Sequence, residues 1–312
     1  MMKDLLKTSD LRPEDFTYLL RRSAKFKASP RSRRETLAGD TVCLYFNKSS
    51  TRTRISFETA VTRLGGVPLF LSGNDLQLGR GETIEDTARV ISRYSRAFVI
   101  RTFLDSDVER FARAASIPVI NALTDGHHPC QSVADLLTLS EHKGALDRLK
   151  VAYLGDGNNV AISLMQAAAL VGMDLAIAAP EGYQIPADVY AEARETAKRT
   201  GSKLTLTADP AEALRDADAV YTDVWLSMGH SETERATRNT ALAPYQVNER
   251  AMKLAKSDAI FLHCLPAHRG EEVSAGVADG PPSKIFDQAE NRLWTAMAVL
   301  YGLLEGKLGA TR

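Results

Sequence analysis

Short runs of apolar, β-branched and aromatic residues recur along the chain. They fall at 41–46, 67–71, 97–101 and 117–121 in the first half, and at 151–154, 175–179, 203–207, 219–222 and 259–263 in the second. Segments of helical periodicity lie between them, for example 83–93 and 107–115. This alternation constrains the fold more than any other feature, because parallel strands need a crossover that returns over the sheet face. The stretch from Gln131 to about His142 carries Val133, Leu136 and Leu137 with no strand signal, and Gly144 follows. It reads as a helix joining two domains, with the boundary near residue 145. The expected class is α/β, with two doubly wound domains, each a mainly parallel sheet flanked by helices, joined by interdomain helices. The first spans 1–145 and the second 146–287. A last helix from about Gln288 shows Leu293, Ala296, Met297, Leu300, Tyr301 and Leu304 on one face, so 288–312 is expected to pack back on the first domain. Residues 228–245 are polar and aperiodic, the pattern of a functional or mobile loop rather than a plain connector.

At 312 residues the chain is long enough for two separate cores. Lys plus Arg and Asp plus Glu number 39 each and no long basic run occurs, which argues against a nucleic-acid partner. Cys43, Cys130 and Cys264 are far apart, so neither a disulfide framework nor a structural zinc site is expected. The N-terminus has no apolar core of the secretory kind. The longest apolar stretch, Val160 to Met173, is too short for a bilayer and reads as a buried helix. A cytoplasmic protein with no membrane partner is expected.

Ser50-Thr51-Arg52-Thr53-Arg54 separates the run 41–46 from a segment in which Ile55, Val61 and Leu64 fall at roughly helical spacing. A polar turn there presents the free N–H groups and the positive dipole end of a helix. One serine and one arginine would indicate no more than a capped helix. Three hydroxyls and two guanidiniums in succession point to phosphate or another oxyanion, with Arg52 and Arg54 as paired donors.

Other candidates also sit at strand ends. Arg101 closes an apolar run, where an arginine is out of place unless the strand opens on a site. In His127-His128-Pro129-Cys130-Gln131, the proline restricts His128 to extended backbone at a helix entry. A histidine held there can cap, donate to a carbonyl oxygen, or act as acid or base. Gly155-Asp156-Gly157-Asn158-Asn159 invites a dinucleotide reading, but Val160 stands where the third glycine belongs. Two side-chain amides suit a small polar ligand instead. Asp223 ends the run 219–222, placed to pair with a cationic amine. In His263-Cys264-Leu265-Pro266, the residue before proline can turn its carbonyl outward, and Cys264 is a nucleophile only if a base is nearby.

Taken together, Ser50–Arg54, His128–Gln131, Asp223–Gly229 and His263–Pro266 resemble the carbamoyltransferases, in consistent order from about Ser50 to Arg292. The first two motifs are shared with the aspartate branch; Ser-Met-Gly and His-Cys-Leu-Pro resemble the ornithine branch. The resemblance implies a catalytic set of Arg52, Arg101, His128, Cys264 and Arg292. Ser50, Thr51, Arg52 and Thr53 would hold the phosphate of carbamoyl phosphate. Thr53, Arg101 and His128 would donate to the carbamoyl oxygen, and Gln131 would hold its nitrogen. Gln77, on a loop from a neighbouring subunit, would complete the phosphate site. Asn159, Asp223, Ser227 and Met228 would bind the α-amino and carboxylate ends of L-ornithine. Cys264, the Leu265 carbonyl and Arg292 would surround the δ-amine and the carbamoyl group. The implied reaction gives L-citrulline and phosphate within arginine biosynthesis. No metal or organic cofactor is implied, and the implied assembly is a homotrimer or a multiple of one. The competing expectations are a related acceptor such as putrescine or N-acylornithine, a nucleotide-dependent dehydrogenase, and a non-catalytic anion-binding relative.

Overall fold

The computed structural model describes residues 2–32, 34–76, 81–226 and 232–309. Two compact units divide the chain: Met1–Ala134 with Glu290–Arg312, and Asp135–Ala289.

The first unit runs α1 (Pro13–Ala28), β1 (Thr41–Phe46), α2 (Thr51–Arg63), β2 (Val67–Ser72), α3 (Ile84–Ile91), β3 (Ala97–Arg101), α4 (Asp105–Ala114) and β4 (Val119–Leu123), and ends in the first residues of α5 (Pro129–Lys143). Its four strands pair in parallel in the order β2-β1-β3-β4. Alternate residues Cys43, Tyr45, Phe98 and Ile100 join Val108 and Phe111 of α4 in one core. The Phe98 and Phe111 rings stack at 4.0 Å between centroids. β4 begins two residues later than the apolar run predicts. Leu5 forms a parallel bridge to Ile120 and takes the Val119 carbonyl as its acceptor, so the register is set by the N-terminal segment.

The second unit runs β5 (Lys150–Leu154), α6 (Asn159–Val171), β6 (Asp174–Ala178), α7 (Ala187–Thr200), β7 (Leu204–Thr207), α8 (Pro210–Leu214), β8 (Ala219–Tyr221), α9 (Arg235–Leu242), α10 (Glu249–Met252), β9 (Ile260–Leu262), α11 (Ala275–Ala278) and the start of α12 (Ile285–Leu304). Five parallel strands follow the order β7-β6-β5-β8-β9. α6 is buried from Val160 to Leu170, Ser163 and Gln166 included, as its largely apolar composition predicts. No helix among the described residues is long and apolar enough to cross a membrane.

Where 228–245 reads as a loop, Glu232–Tyr245 is helical: a 3-10 turn, α9 and a second 3-10 turn. The pattern hid it because the buried stripe of α9 consists of Arg238 and Leu242, a charged residue in a core position.

In both sheets the strand order reverses direction at one place, between β1 and β3 and between β5 and β8. Loops leaving adjacent strands there diverge to opposite faces, which leaves a crevice at the carboxyl ends. Ser50 follows β1 and Arg101 ends β3; Asn159 and Asp223 follow β5 and β8.

Candidate active site

Within the first unit, Phe46 and Arg101 are register partners at the ends of β1 and β3, and Asn47 N–H donates to the Arg101 carbonyl at 2.8 Å. Ser50 precedes α2 in extended backbone and makes no side-chain cap, so its hydroxyl is not committed to the helix. Thr51 is exposed, Arg52 half-buried and Thr53 buried. A cleft of about 680 Å³ lies over this helix start, lined by Ser49, Ser50, Thr51 and Arg54 and floored by Phe46 and Phe70. Arg54 differs from the paired-donor expectation. Two residues along a helix is a rotation of about 200°, which turns Arg54 away from Arg52, onto Glu58 (2.9 Å) and over the Phe70 ring at 3.5 Å.

Four polar side chains, from β3, the turn before α5, α5 itself and α12, are buried, as is Thr53: Arg101, His128, Gln131 and Arg292. Arg292 donates Nη1 to Gln131 Oε1 and Nη2 to Thr53 Oγ1 at 3.3 Å. Burial first, then the charges of Arg292 and Arg101, hold the His128 pKa well below the ordinary imidazole value. His128 is therefore a neutral donor, suited to a carbonyl oxygen on which negative charge develops. Burial pushes the Cys130 thiol up to about 11, so it is no nucleophile at neutral pH.

Asp223 organises the second unit's constellation. It is 6 % exposed and accepts from Asn158 Nδ2 at 2.8 Å and Cys264 Sγ at 2.9 Å. Both donors are neutral, and no cationic side chain among the described residues pairs with it. A buried carboxylate without a cation is costly, so a cationic amine is the complement this position lacks. Asn158 does not reach out to a ligand as the amide-rich turn suggested. Its oxygen caps α6 at Val160 and Ala161 N–H, and its amide holds Asp223. Asn159 is the first residue of α6 and half-buried. Gly157 answers to packing: a Cβ there would lie 2.6 Å from Ile185 N.

Leu265 has φ +61°, rare for a branched side chain, and precedes a cis bond to Pro266. Its N–H donates to Nδ1 of the fully buried His263 at 2.8 Å, which leaves the proton on Nε2, 3.2 Å from Glu272. Gln288 accepts the His263 N–H at 2.9 Å. On the other side, Arg238 donates to the Trp225 carbonyl and to Asp156, tying the loop after Asp223 to the turn after β5.

Each unit thus collects its own predicted residues: Ser50 to Thr53, Arg101, His128, Gln131 and Arg292 in the first, and Asn159, Asp223, Cys264 and Leu265 in the second. Gln77, Ser227 and Met228 lie outside the described residues. Sequence reasoning missed the supporting roles of Asn158, Arg238, His263, Gln288 and Glu272, which come from segments far apart in the chain, two of them within α9 and α12, and carry no local signal. It also missed that Asp223, His263 and Cys264 hold ligand-type atoms within 4.8 Å of one another, a donor set a cation could use. His268, Glu271 and Glu272 form a second such group.

Residues 3–141 match the family model described as aspartate/ornithine carbamoyltransferase, carbamoyl-P binding domain, and 147–303 the corresponding Asp/Orn binding domain. Ornithine carbamoyltransferase of Halalkalibacterium halodurans is 51% identical over 307 residues, covering 98% of this chain and 96% of that protein. The Bacillus subtilis protein of the same name is 52% identical over 302 residues, covering 97% and 94%. The solved ornithine carbamoyltransferase of Pyrococcus furiosus superposes with a TM-score of 0.93 at 47% identity, covering 99% and 98%. With both family models matched in order over nearly its whole length, the chain belongs to the aspartate/ornithine carbamoyltransferase family.

Proposed function

We propose that the chain transfers the carbamoyl group of carbamoyl phosphate to the δ-amine of L-ornithine, giving L-citrulline and phosphate. Relatives of that name at about half identity over nearly the full length support this. The observation that carries the chemistry is the buried Arg101–His128–Gln131–Arg292 group. In this reading Ser50, Thr51, Arg52 and Thr53 bind the phosphate. Arg101, neutral His128 and Thr53 donate to the carbamoyl oxygen as the amine adds, and fixed donors there lower the barrier. Gln131, oriented by Arg292, accepts from the carbamoyl nitrogen. On the acceptor side, Asn159, Asp223, Ser227 and Met228 hold the amino-acid end of ornithine. Cys264 and the Leu265 carbonyl take the δ-amine, and Arg292 takes the carbamoyl group. That amine attacks in its neutral form, although a free alkyl amine titrates near ~10.4. Attack gives a tetrahedral intermediate that expels phosphate.

Gln77 from a neighbouring subunit completes the phosphate site in a trimer or a multiple of one. Val67 and Leu69 on the edge strand β2 and Ile55 on α2 support association, since all three apolar side chains are exposed. We place the enzyme in the cytoplasm, within arginine biosynthesis; the three free cysteines fit a reducing compartment. Steady-state citrulline formation is the test. Turnover with ornithine and little with putrescine or N-acylornithine is expected, because N-acylornithine has no α-ammonium for Asp223 and putrescine has no α-carboxylate for the rest of the amino-acid site. Equal turnover with putrescine would redirect the acceptor assignment.

A further inference from the structure

His127 stands beside the proposed donor His128, yet the reaction gives it no role. The structure turns its ring the other way. Nδ1 of His127 lies 3.1 Å from Oδ1 of Asp105, the first residue of α4. The same oxygen accepts the Thr124 hydroxyl. Around it the turn is closed by Thr124 N–H to the His127 carbonyl at 2.9 Å, and Asn121 Nδ2 supports Thr124 Oγ1 at 3.0 Å. Asp105 lies flat against the turn: a Cβ on Gly126 would sit 2.2 Å from its Oδ2. One residue beyond the turn, α5 begins at Pro129. The segment that carries Arg101 into α4 is thereby clamped to the segment that carries His128 into α5.

We propose that His127 and Asp105 form a positioning pair for carbamoyl transfer, fixing the 124–128 turn and so the depth and direction at which His128 is held. The proposal rests on the carbamoyl-transfer reading, since only there does the placement of His128 matter. Either neutral His127 with its proton on Nδ1 or the imidazolium can donate to Asp105, so the hydrogen bond, not the charge, is the essential link. Asp105 is an acceptor throughout the working range. Burial acts to raise its pKa, but hydrogen bonds from His127 and Thr124 and the nearby charges of His127 and Lys7 outweigh it. The other charges at the turn are Lys48 and Asp125, paired with each other; those facing His128 are Arg292 and Arg101.

The experiment compares the parent enzyme with His127→Ala, His127→Asn, Asp105→Ala and the double alanine variant. The rate is expressed per active site titrated with a bisubstrate analogue. Citrulline formation by the parent comes first; its absence would remove the functional reading, not the pair. With an active parent, each alanine variant is expected to lower kcat by about 10-fold, less than the ~10²–10³ seen when an oxyanion donor is deleted outright. The KM for ornithine is expected to stay within about twofold. The double variant is expected to be no worse than either single one, because the two residues act as a unit. His127→Asn, whose amide can replace Nδ1–H, is expected to recover most of the rate. Loosening His128 also releases it toward an ordinary imidazole pKa of about 6.5, so the alanine variants gain an acid limb in kcat that the parent lacks. A role in stability alone would leave titrated kcat and its pH profile unchanged, and that result overturns the proposal, as does additivity in the double variant. If His127→Ala does not fold, His127→Phe, which fills the space without a donor, replaces it in the same comparison with His127→Asn.

Discussion

The two constellations differ in the sign of what they bury. In the first unit the buried groups are guanidiniums and an imidazole kept neutral, and Arg292 donates to the uncharged acceptors Gln131 and Thr53. In the second, a carboxylate is buried against an amide and a thiol. Each unit carries a charge that its described side chains do not neutralise as an ion pair, at Arg292 and at Asp223. The first suits an anionic, electrophilic donor and the second a cationic acceptor. The difference also separates means of support. Guanidiniums in the first unit anchor to neighbouring side chains, whereas the second unit positions backbone, through Arg238 on the Trp225 carbonyl and His263 on the Leu265 N–H.

The largest effect that could break this contrast is expected from Arg52→Ala. Loss of the guanidinium at the start of α2 should lower kcat/KM for carbamoyl phosphate on the order of 10³-fold with the fold intact. Calorimetric binding of carbamoyl phosphate at parental affinity would remove Arg52 from the phosphate site. Asp223→Asn comes next. It keeps the shape but abolishes the negative charge, so kcat/KM for ornithine should fall by about 2–5 kcal/mol equivalent. Carbamoyl phosphate binding, measured separately, should hold, and a matching loss there would erase the division of labour between the units.

A smaller change is expected from Arg238→Leu. Its charge-assisted bonds to Asp156 and Trp225 are worth about 1.5–3 kcal/mol each. Their loss should loosen the loop after Asp223 and raise KM for ornithine about 10-fold; an unchanged KM would make Arg238 a stability residue only. The smallest effect concerns pH. The folded pKa of His128 lies well below its unfolded value, because burial and two nearby guanidiniums oppose its charging. The unfolded chain therefore binds the extra proton first as pH falls. Stability from this group is complete above about 6.5 and declines below it toward the folded pKa. In thermal melts between pH 7 and 5, His128→Gln should flatten the acid loss by something on the order of 1 kcal/mol. A parental slope in that variant would assign the acid sensitivity to other groups.

Legibility in the sequence followed the range of the physics. The strand runs were readable because alternation and burial act over a few residues; Thr41–Phe46 and Ala97–Arg101 match the observed elements at both ends. α9 was not readable, since its buried charge depends on Asp156, 82 positions away. The candidate residues at strand ends were visible as residues out of place: Arg101 after an apolar run, Asp223 after another. What Asn158 does was not visible, because its amide meets a carboxylate from a different strand.

By itself the sequence determined a mainly parallel α/β chain with polar motifs at the carboxyl ends of strands, since hydrophobic period and helix-start chemistry are local. Tertiary structure alone decided which of two adjacent histidines is sequestered among guanidiniums and which is turned onto Asp105. It also decided that, among the described residues, Asp223 meets only neutral donors, and that the Leu265 N–H, at φ +61°, donates to a histidine two residues before it. Those outcomes are set by burial and by electrostatics between distant segments. Neither quantity exists until the strands have brought their ends together.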